Sequence, residues 1–484
     1  CTLIGPDFKP PQAAAPADWS TWHSGAGELR EGLVLKPSIL PEQWWTVFGD
    51  SALNDLQNRA LQASPDLQTA ALHFAQSRAQ RASAAAQRGP EVNGSGSAKR
   101  QRESETGAST RLITAIAPGG AGQQQIISLL SSPYNLYQSG FDASWELDLW
   151  GRVRRSIEAA DADLAGAAEM LAQARLSISS EVARNYFELR SPQRQLRIAR
   201  QDIAAAEEAL GLIQARARGG LTDQSDVVRQ NAQLADLKSR VPQLLGQEAA
   251  TINQISILVG ARPGELALGT DAGTDAPLPD LVLGVPSDLA RRRPDIRQAE
   301  EKLHSATANI GVARGDLLPR ITLGASFGFE SLMGDKFGDW GSRRWSLGPS
   351  LSLPIFDSGR RHAVVELREL QQQEAAVSFQ QTVLKAWQEI DDALNNYGAE
   401  RKRNLQLLEK QHGSQEAYDL ARAKYAGGQT DFLAQLDAQR TLFQAERDLA
   451  DSNSQMRERL VAVYKAVGGG GPVLSSASQA TSSR

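Results

Sequence analysis

The feature that most constrains this chain is that it is written twice. "ARARGGLTDQSD" (215–226) lines up with "AKYAGGQTDFLA" (423–434), matching Gly219 with Gly427, Gly220 with Gly428, Thr222 with Thr430 and Asp223 with Asp431. The same offset of 208 places Gly151-Arg152 on Gly359-Arg360 and Val259-Gly260 on Val467-Gly468, without a gap. A second match, at offset 229, pairs "SPDLQTA" (64–70) with "RPDIRQA" (293–299) and Pro90 with Pro319. A chain of 484 residues built from two copies of one unit repeats its elements in order, and a unit of this kind buries its apolar face against its neighbour.

Each copy reads the same way. A helix of about 24 residues starts at Ser-Pro-Asp or Arg-Pro-Asp, where proline suits the first turn, and stops before Pro90 or Pro319. A strand, a Gly/Ser-rich loop and a second strand follow, predicted at about 91–102 and 136–149, and again at about 320–331 and 344–356. Then come a very long helix (about 151–218 and 359–426), a Gly-Gly turn, and a further helix (about 222–260 and 430–468). The organisation is therefore a tether over 1–40, a first repeat over 41–260, a linker over 261–286, a second repeat over 287–470 and a flexible tail over 471–484. Pro192 and Gly398, at nearly matching places in the long helices, predict a kink or break there.

The strands carry a period of two. Tyr137, Phe141, Trp145, Leu147 and Leu149 fall on one face, and Asp142, Glu146 and Asp148 on the other. Ile321, Leu323, Ala325, Phe327 and Phe329 oppose Thr322, Gly324, Ser326 and Gly328, and "RWSLGPSLSLPIF" (344–356) alternates likewise. "EVNGSGSAKR" alternates only weakly, and its strand reading rests on the repeat. Aromatics near strand ends (Trp145, Trp150, Phe329, Trp345, Phe356) suit interfacial belts, and about 12 residues per strand exceeds the ~9–11 a membrane stave needs. Four strands cannot close a barrel, since about eight is the smallest useful number, so a barrel here demands several copies. The alternative is a sheet with one face packed on helices, which gives the same alternation. A helix of 67 residues runs ~100 Å at 1.5 Å per residue, and its narrow 3-4 stripes, as in Val383, Trp387, Ile390, Leu394 and Tyr397, fit coiled-coil-like neighbours.

Composition narrows the function. A net charge of −4 and a pI of about 5.9 give no polycationic case for nucleic acid. Mean hydropathy is −0.37, with no apolar run near the ~20 residues of a spanning helix, so any membrane contact goes through a lipid anchor, a surface helix or a β-barrel. The one cysteine is Cys1, expected to carry an N-terminal lipid after signal-peptide cleavage, and with no second cysteine there is no intramolecular disulfide. "PDFKPPQAAAPADWS" reads as an extended tether behind it. Enzyme motifs fail on context. "GASFG" (324–328) fits G-x-S-x-G, yet Ser326 lies inside an alternating strand instead of a strand-turn-helix elbow. The five histidines have no H-x-x-x-H pair, and "GGGG" (468–471) follows a helix instead of opening one. Arg291-Arg292-Arg293 reads as a solvated cluster before a helix. No catalytic residue, metal or soluble cofactor is assigned.

"CTLIGPDFKPP", "WWTVFGDSALNDL" (44–56), "SWELDLWGRVRR" (144–155), "LARRRPDIRQAE" (289–300), "KYAGGQTDFLAQLDAQR" (424–440) and "YKAVGGG" (464–470), in this order, resemble the outer-membrane factors of the TolC/OprM type over nearly the whole chain. The resemblance implies an α+β membrane protein. Its two repeats would supply four transmembrane strands, and a homotrimer would form a twelve-stranded barrel continuing into a twelve-helix periplasmic α-barrel. It implies a passive exit duct of a tripartite multidrug efflux system, in the bacterial outer membrane, lipid-anchored at Cys1, with a periplasmic adaptor and an inner-membrane transporter as partners. By resemblance the tip turns are Gly219-Gly220 and Gly427-Gly428, the gate is Leu433 and Asp437, and Tyr425 and Asp431 hold neighbouring coils, with Asp223 as the repeat counterpart of Asp431 or simply a helix cap. Asp142, Glu146 and Asp148 would line the barrel lumen. A type I protein-secretion duct of the same fold, or a periplasmic coiled-coil lipoprotein acting as adaptor or scaffold, are the alternatives.

Overall fold

A computed structural model describes residues 3–16, 18–19, 21–33, 41–107, 111, 121–269, 278–279, 281, 283, 286 and 292–470. Cys1, much of the expected linker and the expected tail lie outside them. Along the chain run α1 (Ser51–Ala63), α2 (Pro65–Ala86), β1 (Glu91–Gln101), α3 (Ala121–Leu130), β2 (Tyr134–Glu146), α4 (Arg152–Arg218) and α5 (Gln224–Leu258). Then follow α6 (Pro294–Gly315), β3 (Arg320–Ser331), β4 (Arg343–Ser352), α7 (Arg360–Ala426) and α8 (Phe432–Ala466). Helices α4 and α7 start at residues 152 and 360 and end at 218 and 426, so both ends keep the offset of 208; α5 and α8 keep it too, at 224 and 432 and at 258 and 466. Helices α2 and α6 are each 22 residues long.

Contacts divide the chain into two compact units. The first comprises Cys1–Lys9, Arg78–Asp163 and Leu303–Glu374 and contains the strands. Among the described residues these form one antiparallel sheet in the order β1-β2-β3-β4. The register places Val92, Ala143, Ala325 and Leu347 along one line, so residues of one parity share a face across all four strands. That face carries Phe141, Trp145, Phe327, Trp345, Leu347 and Leu351, all exposed. The other carries Ser326, Ser346, Gln138 and Glu330, with Gln138 Nε2 donating to Glu330 at 2.7 Å and Ser326 and Ser346 hydroxyls 2.8 Å apart.

Strand β1 pairs with β2 over its full length although Val92 is its one large apolar side chain. The Phe141 ring lies against Gly94, where an added Cβ would come within 3.3 Å of it, so an aromatic of β2 covers the bare backbone of β1. Gly140 and Gly328 pack backbone to backbone; a Cβ on Gly328 would sit 2.3 Å from the Ser139 carbonyl oxygen. The sheet is tight there because both positions lack a side chain.

The second unit comprises Pro10–Ser77, Leu164–Lys302 and Ala375–Arg484. Its core is built on the "WWTVFGD" segment. Trp44 packs tilted or edge-on against Trp45 and Tyr464, and Phe48 against Phe187 and Tyr464, with centroid distances of 4.8–6.1 Å. Asp50 caps α1 by accepting from the Ala52 and Leu53 amides, while its other oxygen accepts from the Tyr186 hydroxyl at 2.5 Å. Burial and that carboxylate push the Tyr186 phenol up to about 12.

Of the kink or break expected at Pro192 and Gly398, the break is absent: both long helices run on through these residues. A proline inside a helix costs about 3 kcal/mol, and α4 is anchored on both sides of Pro192 by Tyr186, Leu189 and Leu196, all buried. Gly398 serves a close approach: a Cβ there would sit 1.7 Å from the Leu29 carbonyl oxygen, so the N-terminal segment lies directly on α7. That segment is fastened by Arg30 and Ser24 to Asp391 and by the Trp387 indole to the Ala14 carbonyl at 3.0 Å. The loop between β1 and β2, expected to be plain Gly/Ser-rich chain, contains α3. Among the described residues no helix is long and apolar enough to cross a membrane.

Trp44 is 1% exposed. We expect Trp44→Ala to lower stability by about 3–5 kcal/mol, read as a reduced urea midpoint in far-ultraviolet circular dichroism of the detergent-solubilised protein.

Candidate functional site

The two Gly-Gly turns close in the same way. After α4, the Gly220 amide donates to the Ala217 carbonyl at 3.0 Å and the Leu221 amide to Arg216 at 2.9 Å. After α7, Gly428 donates to Tyr425 at 3.1 Å and Gln429 to Lys424 at 2.9 Å. Gly220 and Gly428 have φ of 69° and 72°, the left-handed conformation in which glycine ends a helix with this pair of bonds. Gly219 and Gly427 are the preceding residues, with amides bonded back to Ala215 and Ala423.

The aspartates that follow start the next helices. Asp223 accepts from the Ser225 amide at 2.6 Å, which holds its carboxyl below the usual range, and Asp431 accepts from the Ala434 amide at 3.0 Å. Both therefore act as N-caps. Tyr425 meets Phe432 with centroids 5.7 Å apart and carries the Arg216 guanidinium over its ring at 4.8 Å, which ties α4 to the α7–α8 turn. Ile213, Val227, Phe432 and Leu436 form the buried cluster beneath. Arg440 donates to Gln233 at 2.6 Å, joining α8 to α5. Arg216, Phe432 and Arg440 are contacts the sequence reading missed; Phe432 follows Asp431 at a helix start, where an apolar residue is an ordinary sight.

Leu433 and Asp437 stand one helical turn apart on α8 and share an exposed stripe; Leu433 is 49% exposed, a large apolar side chain with nothing over it. The sheet acids are not equivalent. Asp142 is exposed on the polar face. Glu146 is held by Arg152 through two bonds of 2.9 and 2.8 Å. Asp148 lies past the end of β2 and caps α4, accepting from the Val153 and Arg154 amides at 3.0 Å each. Glu146 and Asp148 thus join strand to helix, a role the sequence reading did not give them. Arg293 corrects the solvated-cluster reading as well. It is 5% exposed, donates to the Ala466 carbonyl at 2.7 Å, and pairs with Asp295 and Glu389 at 2.6 Å each. Arg292 is likewise buried, and Arg291 lies outside the described residues.

Two carboxyls of the helical unit are poorly matched. Asp202 is buried with Arg447 3.9 Å away, too far for a hydrogen bond, and burial together with Glu446 pushes it up to about 7. Burial and Glu188 push Glu458 up to about 7. A carboxyl raised in the folded state binds more protons folded than unfolded between about pH 4 and 7, so stability falls as pH rises through that window and levels off above it. We expect the melting temperature to drop between pH 5 and 8, and Asp202→Asn with Glu458→Gln to flatten that slope and raise the value at pH 8.

The comparisons agree with this architecture. The family model for outer membrane efflux protein matches residues 56–261 and 285–469, one block for each repeat. The pyoverdine export outer membrane protein OpmQ of Pseudomonas putida is 32% identical over 90% of this chain and 90% of its own. Outer membrane protein OprJ of Pseudomonas aeruginosa is 30% identical over 96% and 92%. The solved outer-membrane channel OprN superposes with a TM-score of 0.82 at 31% identity, covering 96% of this chain and 99% of its own. With the repeat, the sheet and the paired helical turns all accounted for, this chain belongs to the outer membrane efflux protein family and is an outer-membrane efflux channel component.

Proposed function

We propose that three copies of this chain form the exit duct: twelve strands close a barrel in the outer membrane, and the helices continue it as a tunnel in the periplasm. The observation that carries this reading is the sheet, with one exposed apolar face, one polar face and open edges on β1 and β4. In hydrocarbon an unpaired edge costs several kcal/mol per backbone group, so the edges must meet another copy. The pairing of β4 with β1 of the next copy supplies that closure. An adaptor and an inner-membrane transporter complete the pump, the adaptor engaging the Gly-Gly turns. Cargo passes through without tight binding, and a small-molecule cargo is supported by relatives named for pyoverdine export and toluene efflux.

A lipid on Cys1 fits the same picture. Leu3 lies on Gly151, the Ile4 amide donates to the Trp150 carbonyl at 3.1 Å, and buried Arg155 binds the Ile4 carbonyl and Asp7. The chain is thereby held where β2 gives way to α4, at the boundary an acyl chain would enter. At the tip, Leu433 forms the apolar ring of the gate and Asp437 a ring of three carboxylates, whose mutual repulsion the closed state must tolerate.

Migration as a heat-resistant trimer in detergent, with conductance in planar bilayers, tests the duct; a non-conducting monomer overturns it. Leu433→Ala with Asp437→Ala should raise single-channel conductance severalfold, and an unchanged small conductance counts against the gate.

A further inference from the structure

Helices α5 and α8 together line an open cavity of about 410 Å³ that lies wholly within the second unit. Each helix offers it a stripe at 3-4 spacing: Gln233, Asp236, Leu237 and Arg240 from α5, and Arg440, Phe443, Gln444 and Arg447 from α8. Leu237 and Phe443 are buried and supply an apolar floor. The charged side chains of the lining are three arginines and a single acid, Asp236.

The chain does not match these cations itself. Asp236 is taken by Arg240 at 2.9 Å. Arg440 meets a neutral amide, Gln233, at 2.6 Å, and Arg447 another, Gln444, at 2.7 Å. The acid that faces Arg447 from α4 is Asp202, 3.9 Å away; it is 4% exposed, and that oxygen has no hydrogen-bond partner. Of the acids beside Arg447 on α8, Asp448 is spent on Lys410 and Gln444, and burial pushes the Glu446 carboxyl up. Burial, with the Arg240 guanidinium next in weight, holds Arg447 below the usual arginine range, so two of the three cations repel one another. A guanidinium has five N–H donors, and each of these three spends one on the wall.

We propose that this cavity binds a small molecule carrying two or more oxyanion groups, carboxylate or phosphate. Planar guanidiniums take such groups in a bidentate grip. Arg440 and Arg447 stand two helical turns apart on α8, so separate acidic groups of one molecule each find a partner. Leu237 and Phe443 take the carbon body between them, and the volume falls in the range of small-molecule sites. A neutral molecule leaves the arginines as crowded as before, and a cation is repelled. The site rests on the helical unit alone and does not depend on the barrel.

The test is isothermal titration calorimetry of the full chain in detergent, at pH 8 and low salt, with citrate, pyrophosphate and the neutral ester trimethyl citrate. Citrate or pyrophosphate should bind, the tighter of the two naming the group preferred, and the ester should not. Arg240→Gln with Arg440→Gln, both on the open side of the cavity, should weaken binding about tenfold, while Arg262→Gln, an exposed arginine outside the cavity, leaves it unchanged. Asp202→Asn should tighten binding severalfold, because Asp202 titrates at about 7 and at pH 8 its charge competes for Arg447; a folding defect does not produce that gain. The site is overturned if neither anion binds, if the ester binds as well as citrate, if the double variant loses no more than Arg262→Gln does, or if Asp202→Asn brings no tightening.

Discussion

Backbone hydrogen bonding at the sheet edges is the constraint from which the rest follows. Four strands satisfy their inner ladders from Glu91 to Ser352 and leave the outer sides of β1 and β4 open. In water such edges are managed with charge or cover; in lipid they have to be paired, and only closure removes them. The apolar face has the same demand in another form, since Trp345, Leu347 and Leu351 make a contiguous greasy surface that no part of the described chain covers. The two demands have one common solution, insertion as part of a closed barrel. Closure therefore takes more than one copy of the four-stranded sheet, and the trimer proposed above supplies it.

The helices answer a different problem. Long coiled-coil-like helices have narrow apolar stripes, and the small clusters along them, such as Ala206, Leu234, Leu237 and Phe443, are thin. Stability is concentrated where the "WWTVFGD" segment wedges aromatics between α4 and α8, with Asp50 serving as helix cap and Tyr186 partner at once. Elsewhere the helices carry poorly matched polar groups such as Asp202, whose carboxyl sits loosely near Arg447. Opening at the proposed gate would be served by that division, because a loosely packed polar seam opens at lower cost than an aromatic core.

The repeat made the fold legible, because equal offsets of 208 fix the bounds of α4, α5, α7 and α8 from very few anchor residues. Positive φ at Gly220 and Gly428 follows from the same glycines seen in the sequence. What stayed hidden depends on partners distant in sequence. Gly398 looked like a helix breaker because the Leu29 carbonyl that requires it lies in the N-terminal segment. Arg293 looked solvated because its partners, Ala466 and Glu389, come from other helices. Strand β1 looked weak because the ring that covers Gly94 belongs to β2. The bonds that Glu146, the last paired residue of β2, and Asp148 just beyond it make to the start of α4 are likewise invisible to a period-two pattern.

The turns carry the last step. Their frames are alike, with the same glycine geometry and an aspartate cap at Asp223 and Asp431. Their surfaces are not. At the places where the second repeat has Tyr425, Phe432, Leu433 and Asp437, the first has Ala217, Gln224, Ser225 and Arg229. Duplication keeps what the backbone needs, a left-handed glycine and a cap, because any change there unmakes the turn. It frees the remaining positions, and there one copy gained an aromatic lock with Phe432 buried and an exposed apolar-acidic stripe, while the other gained small and polar groups. The Arg216 guanidinium of the first copy rests on the Tyr425 ring of the second, so the plain turn serves as the brace for the specialised one. The gate proposed at Leu433 and Asp437 would need only one of the two hairpins to line it, with the other as its support.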